Sequence, residues 1–257
     1  MNYIKTEIKD RIGYILLNRE EKRNALNETF VLELRETLES WRQDMNVKVV
    51  VIKALGSVFS AGADLEYLQK LQSNTYQENL EDSRNLKNLY EAIYSYPKIV
   101  IAQVEGHAIA GGCGLATICD FCYAVPEAQF GYTEVKIGFI PALVSIFLVK
   151  KIGEARSREL LLTGKLIDSA YAEKIGMLQG VVSKDEIESY VYNFASKLIA
   201  ETSSESIAAT KKLLKESINK SFEEAMDMAA QYNATARESH DCKKGIGAFL
   251  NKEKIVW

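Results

Sequence analysis

Gly106-His107-Ala108-Ile109-Ala110-Gly111-Gly112-Cys113-Gly114-Leu115 is the stretch around which the rest of the chain can be ordered. It follows the apolar, β-branched run Ile99 to Val104 and leads into an apolar helix, so it reads as a strand-to-helix turn. The first N–H groups of a helix have no partner inside it. With Gly111-Gly112 at that point, the backbone can approach either a packed neighbour or a ligand carbonyl. Amides aimed at a carbonyl oxygen stabilise the enolate through which protons move on and off the α-carbon. The turn is no phosphate loop, because no Gly-Lys-Ser/Thr follows it and the dinucleotide fingerprint spacing is missing.

Upstream of this turn, short strand-like runs alternate with helices. Ile12 to Leu17 and Val47 to Ile52 are rich in β-branched residues and predict strands. Between them Val31, Leu34, Leu38, Trp41 and Met45 recur at helical spacing. Asn27 is the natural N-cap of that helix, with Leu26 and Val31 placed as a hydrophobic staple. A second long helix ends near Tyr96-Pro97. Downstream, Asp168-Ser169 starts a helix and Gly176 stops it. From about residue 184 the chain is helical, with one apolar stripe at Ile187, Val191, Phe194 and Leu198 and a weaker one at Phe222, Met226, Ala229 and Tyr232 or Asn233. An α/β body followed by a helical tail predicts a core of residues 1–195 and a packing or assembly region of residues 196–257.

The 257 residues suffice to bury a core without disulfides or metal. A formal net charge of −3 argues against a nucleic-acid partner. Cys113, Cys119, Cys122 and Cys242 lack the paired knuckles or extra histidines of a zinc site, so no metal is expected and the cysteines read as reduced thiols. The N-terminus has no apolar signal region, and the apolar run Pro141 to Val149 is too short to span a bilayer, which makes the cytoplasm the expected compartment.

Two further segments can carry chemistry. Phe59-Ser60-Ala61-Gly62-Ala63-Asp64-Leu65 puts small residues after a strand, where the backbone can close on a ligand or simply turn tightly. Phe130-Gly131-Tyr132-Thr133-Glu134-Val135-Lys136-Ile137-Gly138-Phe139-Ile140-Pro141 holds Glu134 on an alternating run among apolar neighbours. A glutamate in an apolar pocket has a raised pKa, which suits a general acid or base. With only His107 and His240 in the chain, and no nucleophile elbow, a Ser/His/Asp triad has no support.

These segments, in this order, resemble the crotonase, or enoyl-CoA hydratase/isomerase, superfamily over nearly the whole chain. The likeness runs through Leu17-Asn18-Arg19, Lys22-Arg23-Asn24-Ala25-Leu26, the Phe59 to Leu65 and Gly111-Gly112-Cys113 segments, Phe130 to Pro141, Leu162-Thr163-Gly164 and Gly245 to Leu250. The resemblance implies a spiral of β-β-α units with a C-terminal helical trimerisation region, in trimers or hexamers. It implies an oxyanion hole from the amides of Ala61 and Gly111, with Glu134 as the catalytic carboxyl. It places Lys22, Ala25, Ala63, Asp64, Leu65, Gly114 and Pro141 at the acyl-CoA, with Phe249 and Lys252 near the CoA of a neighbouring subunit. No cofactor is implied beyond the coenzyme A of the substrate.

Two departures bear on the chemistry. Gly114 stands where hydratases of the family carry a first glutamate, and Pro141-Ala142-Leu143-Val144-Ser145 stands where many members read Pro-Gly-x-Gly-Gly. The pocket is therefore expected to be more apolar, with one carboxylate. The leading expectation is hydration and dehydration of an enoyl-CoA, with 3-methylglutaconyl-CoA as a candidate. The alternatives are Δ3–Δ2 enoyl-CoA isomerisation by the lone Glu134 and an acyl-CoA-binding protein without chemistry.

Overall fold

The computed structural model describes residues 2–257. A hairpin opens the chain: β1 (Ile4–Lys9) and β2 (Ile12–Leu17) pair antiparallel across Asp10-Arg11, both at positive φ. Such a two-residue turn matches the twist of the strands it joins. Next come α1 (Glu28–Trp41), β3 (Val49–Ala54), β4 (Val58–Ser60), α2 (Leu65–Leu71) and α3 (Tyr76–Tyr94). The middle of the chain holds β5 (Ile99–Val104), β6 (His107–Ile109), α4 (Gly111–Thr117), β7 (Phe121–Ala124), β8 (Gln129–Gly131) and α5 (Ala142–Thr163). It closes with β9 (Ile167–Asp168), α6 (Ser169–Lys174), β10 (Gly180–Val181), α7 (Ile187–Glu201), α8 (Ser204–Ser217), α9 (Phe222–Glu238) and α10 (His240–Asn251).

The strands sort into two sheets by a simple alternation. The first, ordered β1-β2-β3-β5-β7-β10, and the second, ordered β4-β6-β8-β9, are parallel except at their β1–β2 and β8–β9 edges. Each successive strand pair, β3/β4, β5/β6 and β7/β8, gives one member to each sheet before the chain turns into a helix. This is the expected spiral of β-β-α units. The inner strands β3 and β5 of the large sheet read as nearly continuous apolar runs because both faces are covered: Val49 to Ile52 and Ile99 to Val104 are buried throughout.

Local signals explain most element ends. The Asn27 side chain accepts the Phe30 N–H at 2.9 Å and caps α1, whose stripe Val31, Leu34, Leu38 and Trp41 is buried. The helix stops at Trp41, so Met45 lies outside it and is exposed, against the expected continuation of the stripe. Asp168 caps α6 through the Tyr171 N–H at 2.7 Å, and Gly176 adopts φ +80° just beyond that helix. The expected boundary at residue 195 falls within α7, which buries Ile187, Val191 and Ala195 against the large sheet. Phe222 and Met226 of α9 face outward, 83% and 56% exposed, while Ala229 and Tyr232 of the same weaker stripe are half-buried.

Buried thiols complete the core. Cys113, Cys119 and Cys122 are fully enclosed, and burial pushes the Cys113 and Cys122 thiols up to about 12, which keeps them protonated. Among the described residues no helix is long and apolar enough to cross a membrane.

Candidate active site

Three adjacent parallel strands of the small sheet, β4, β6 and β8, end side by side. Ser60 pairs with Ala108, and Ile109 with Gly131. The loops beyond the carboxyl ends of parallel strands are where open α/β sheets bind ligands. Here those loops are residues 61–64, the Ala110-Gly111 turn and the segment leading to Glu134.

Glycine is required where the first two loops meet. Gly62 sits at φ +90°, and a Cβ there would stand 2.9 Å from Ala110 Cβ and 3.1 Å from Ile109 O. Gly112 packs its Cα on Ser60, where a Cβ would lie 2.6 Å from the carbonyl oxygen. Of the paired glycines, Gly112 therefore serves close packing, while Gly111 opens α4 with an N–H that meets no acceptor. Ala110 enters this turn at φ +49° and ψ −126°, an unusual conformation for a residue with a Cβ. Its N–H donates to Gly131 O at 2.7 Å, which ties β6 to β8 at the turn.

The 61–64 loop is held by the Lys22 to Leu26 segment. Leu26 N donates to Gly62 O at 2.7 Å and Asp64 N to Leu26 O at 3.0 Å, forming a parallel bridge between Leu26 and Ala63. The expectation of a free donor at Ala61 is corrected by this pairing, because the Ala61 N–H already donates to Arg23 O at 3.0 Å. Within the 61–64 loop the Ala63 N–H is the one that meets no acceptor among the described residues. Alternation along the bridge is the physical reason: the flanking peptide groups pair with Leu26, and those of Ala63 itself turn away from it. Arg23 and Asn24 hold the opposing segment in the left-handed region, at φ 52° and 51°. The buried Asn24 amide pins it by donating to Leu55 O and Val58 O, each at 2.9 Å.

A buried ion pair fixes the same loop from below. Asp64 Oδ2 lies 2.5 Å from Arg19 Nη2, both side chains are almost wholly buried, and Arg19 Nη1 donates to Ala25 O at 2.9 Å. Asp64 Oδ1 accepts the Glu66 N–H at 2.8 Å and caps α2. Leu65, the first residue of α2, is 78% exposed, and Lys22 pairs at the surface with Glu66 at 2.6 Å. Pro141 precedes α5, in which Val144 faces Gly114 of α4. Phe249 and Lys252 stand at the end of α10, which packs on α8 and α9.

Glu134 differs from its expected setting. β8 ends at Gly131, and Thr133 at φ −88° and ψ 1° bends the chain into a 3₁₀ turn, Glu134–Ile137, instead of continuing an alternating strand. The bend leaves Glu134 half-buried, with Oε2 enclosed and without a hydrogen-bond partner. Desolvation raises its carboxyl above the ordinary glutamate value, opposed in part by its own backbone N–H. Its charge in turn helps push up the buried Tyr90 phenol, after burial itself. Tyr90, invisible as a site residue in the sequence, donates to Gly111 O at 2.8 Å. The site thus holds two unpartnered amides and one half-buried carboxyl, a combination that can polarise a carbonyl and move a proton beside it.

This fold and these loops define an α/β enzyme of the crotonase type. The chain belongs to the enoyl-CoA hydratase/isomerase family, whose model matches residues 7–257. A Thermus thermophilus protein provisionally named an enoyl-CoA hydratase is 38% identical over 244 residues, covering 95% of this chain and 96% of that one. Crotonyl-CoA hydratase of Syntrophomonas wolfei is 30% identical over 250 residues, with 96% and 95% covered. The crystal structure of an enoyl-CoA hydratase from Shewanella pealeana aligns with a TM-score of 0.94 at 27% identity, over 99% of this chain and 96% of that chain.

Proposed function

We propose that this enzyme hydrates a 2-enoyl-CoA to the 3-hydroxyacyl-CoA, and the reverse, through an enolate held by the Ala63 and Gly111 amides. The observation that carries the reading is the enclosed, unpartnered Glu134 Oε2 on the segment that leaves β8 at Gly131, the residue hydrogen-bonded to the turn that presents Gly111. The thioester oxygen accepts from both amides. Glu134 takes a proton from water as the hydroxyl adds at C3 and then delivers it to C2. Relatives named as enoyl-CoA hydratases support the class of reaction. Lys22, Ala25, Asp64, Leu65 and Pro141 border the thioester and CoA, and no cofactor beyond the coenzyme A of the substrate enters the reaction. The exposed Phe222, Met226, Phe249 and Leu250 support assembly into a homotrimer or a hexamer, with Phe249 and Lys252 reaching a neighbour's CoA. The compartment that fits is the cytoplasm.

One observation favours Δ3–Δ2 isomerisation as the second reading. A Cβ at Gly114 would stand 2.3 Å from Val144 Cγ1, so that wall has no room for a second carboxylate to hold water. A single carboxyl suffices to carry a proton between C4 and C2. Incubation with 2-enoyl-CoA and 3-enoyl-CoA separately, with 3-methylglutaconyl-CoA in the panel, decides between them. Formation of 3-hydroxyacyl-CoA from the 2-enoyl thioester supports hydration; migration of the double bond without any hydroxy product rejects it.

The pH profile follows from the burial of Glu134. As the base in hydration it must be ionised, so kcat/KM falls as pH drops through its pKa. Because desolvation raises that pKa, the acid limb is expected above 4.5, the ordinary glutamate value. A limb at or below 4.5 in the measured profile contradicts the assignment.

A further inference from the structure

Tyr90 is fully buried on α3, its ring edge-on to Phe147 with centroids 6.2 Å apart. Its hydroxyl does not end in the core. It donates at 2.8 Å to the carbonyl of Gly111, the residue whose own N–H opens the site. A Cβ on Gly111 would lie 3.3 Å from that hydroxyl and one on Gly114 3.0 Å from it, so the phenol sits against two glycines of the first turn of α4.

The turn needs such a restraint. Gly111 has no Cβ to limit its backbone, and Ala110 before it is held at φ +49° and ψ −126°, an unfavourable positive-φ conformation for a residue with a Cβ. A strained, glycine-bearing turn keeps one orientation only where its surroundings over-determine it. Gly131 O holds the Ala110 N–H from one side, and Tyr90 holds the Gly111 carbonyl from the other. We infer that Tyr90 is a positioning residue for the reaction, a clamp that aims the Gly111 N–H at the thioester oxygen. The inference rests on the function proposed above. Burial and the nearby charge of Glu134 keep the phenol protonated, so the clamp stays a donor across the working pH range.

A merely structural tyrosine would affect stability alone, and the test separates the two. Tyr90→Phe keeps the ring and removes the hydrogen bond. It is expected to lower kcat about tenfold with KM unchanged within about twofold, since a misaimed donor is lost mainly in the transition state. Bound cinnamoyl-CoA gives an independent readout, because its absorbance shifts to longer wavelength when the thioester carbonyl is polarised. Tyr90→Phe is expected to lose most of that shift. Phe147→Leu loosens the same aromatic packing without touching the hydrogen bond; it is expected to lower the melting temperature and keep the shift. A Tyr90→Phe enzyme with wild-type kcat and a wild-type shift overturns the inference, as does an equal loss of the shift in Phe147→Leu. Absence of both turnover and shift in the wild-type protein instead rejects the proposed function.

Discussion

Replacing Glu134 by glutamine is expected to lower kcat by roughly 10²–10⁴-fold, the range of a positioned acid–base group, with binding of the CoA thioester unchanged. The amide has nearly the volume of the carboxyl but cannot accept a proton from water and pass it on. The substitution also has a thermodynamic signature. Desolvation raises the Glu134 pKa in the folded state, so the folded protein holds its proton more tightly than the unfolded chain. The carboxyl is therefore least costly below the ordinary glutamate value, and its relative stability is lost as pH rises through the folded pKa. Glu134→Gln does not titrate there. Its melting temperature is expected to gain on that of wild type as pH rises from 4 toward neutrality, about where glutamates ionise. Full turnover in the variant removes Glu134 from the mechanism.

Asp64→Ala is expected to be the costliest single change at the site. The Asp64 carboxylate is 3% exposed, stands 2.5 Å from Arg19 and caps α2 through the Glu66 N–H. Removing one partner of a buried pair leaves the other charge uncompensated and costs about 3–5 kcal/mol. Loss of the cap adds about 1 kcal/mol. Together these lower the melting temperature by roughly 10–20 °C in a chain of this size. Turnover is expected to fall as well, because Asp64 follows Ala63 directly and fixes the direction of its N–H. Asp64→Asn keeps the cap acceptor and serves as the comparison. A melting temperature for Asp64→Ala within 2 °C of wild type, less than about 1 kcal/mol, shows that the pair does not hold the loop.

Much of the fold was legible in the residues themselves. The strand Ile99–Val104, the Asn27 and Asp168 caps and the strand-to-helix turn at Gly111 all lie where local chemistry put them. The division into two sheets was not legible, because β4, β6 and β8 have three residues each, too few to show a period. Glu134 reads as part of an alternating run until Thr133 bends the chain, a matter of backbone geometry that no side-chain pattern records. The choice between the Ala61 and Ala63 amides depends on which peptide groups pair with the Lys22 to Leu26 segment, a contact distant in sequence. Tyr90 is hidden in the sequence for a different reason. On an amphipathic helix it looks like one more core aromatic, and only its carbonyl partner distinguishes it. The apolar stripe on α9 follows from spacing, but spacing does not say what covers it.

A crystal structure with a bound 3-oxoacyl-CoA tests the central claim most directly. Two convergent donors require the thioester oxygen within about 2.7–3.1 Å of both the Ala63 and Gly111 nitrogens, with Glu134 Oε2 facing C2. An oxygen bound away from that pair of amides, or a Glu134 carboxyl turned to solvent in the complex, contradicts it.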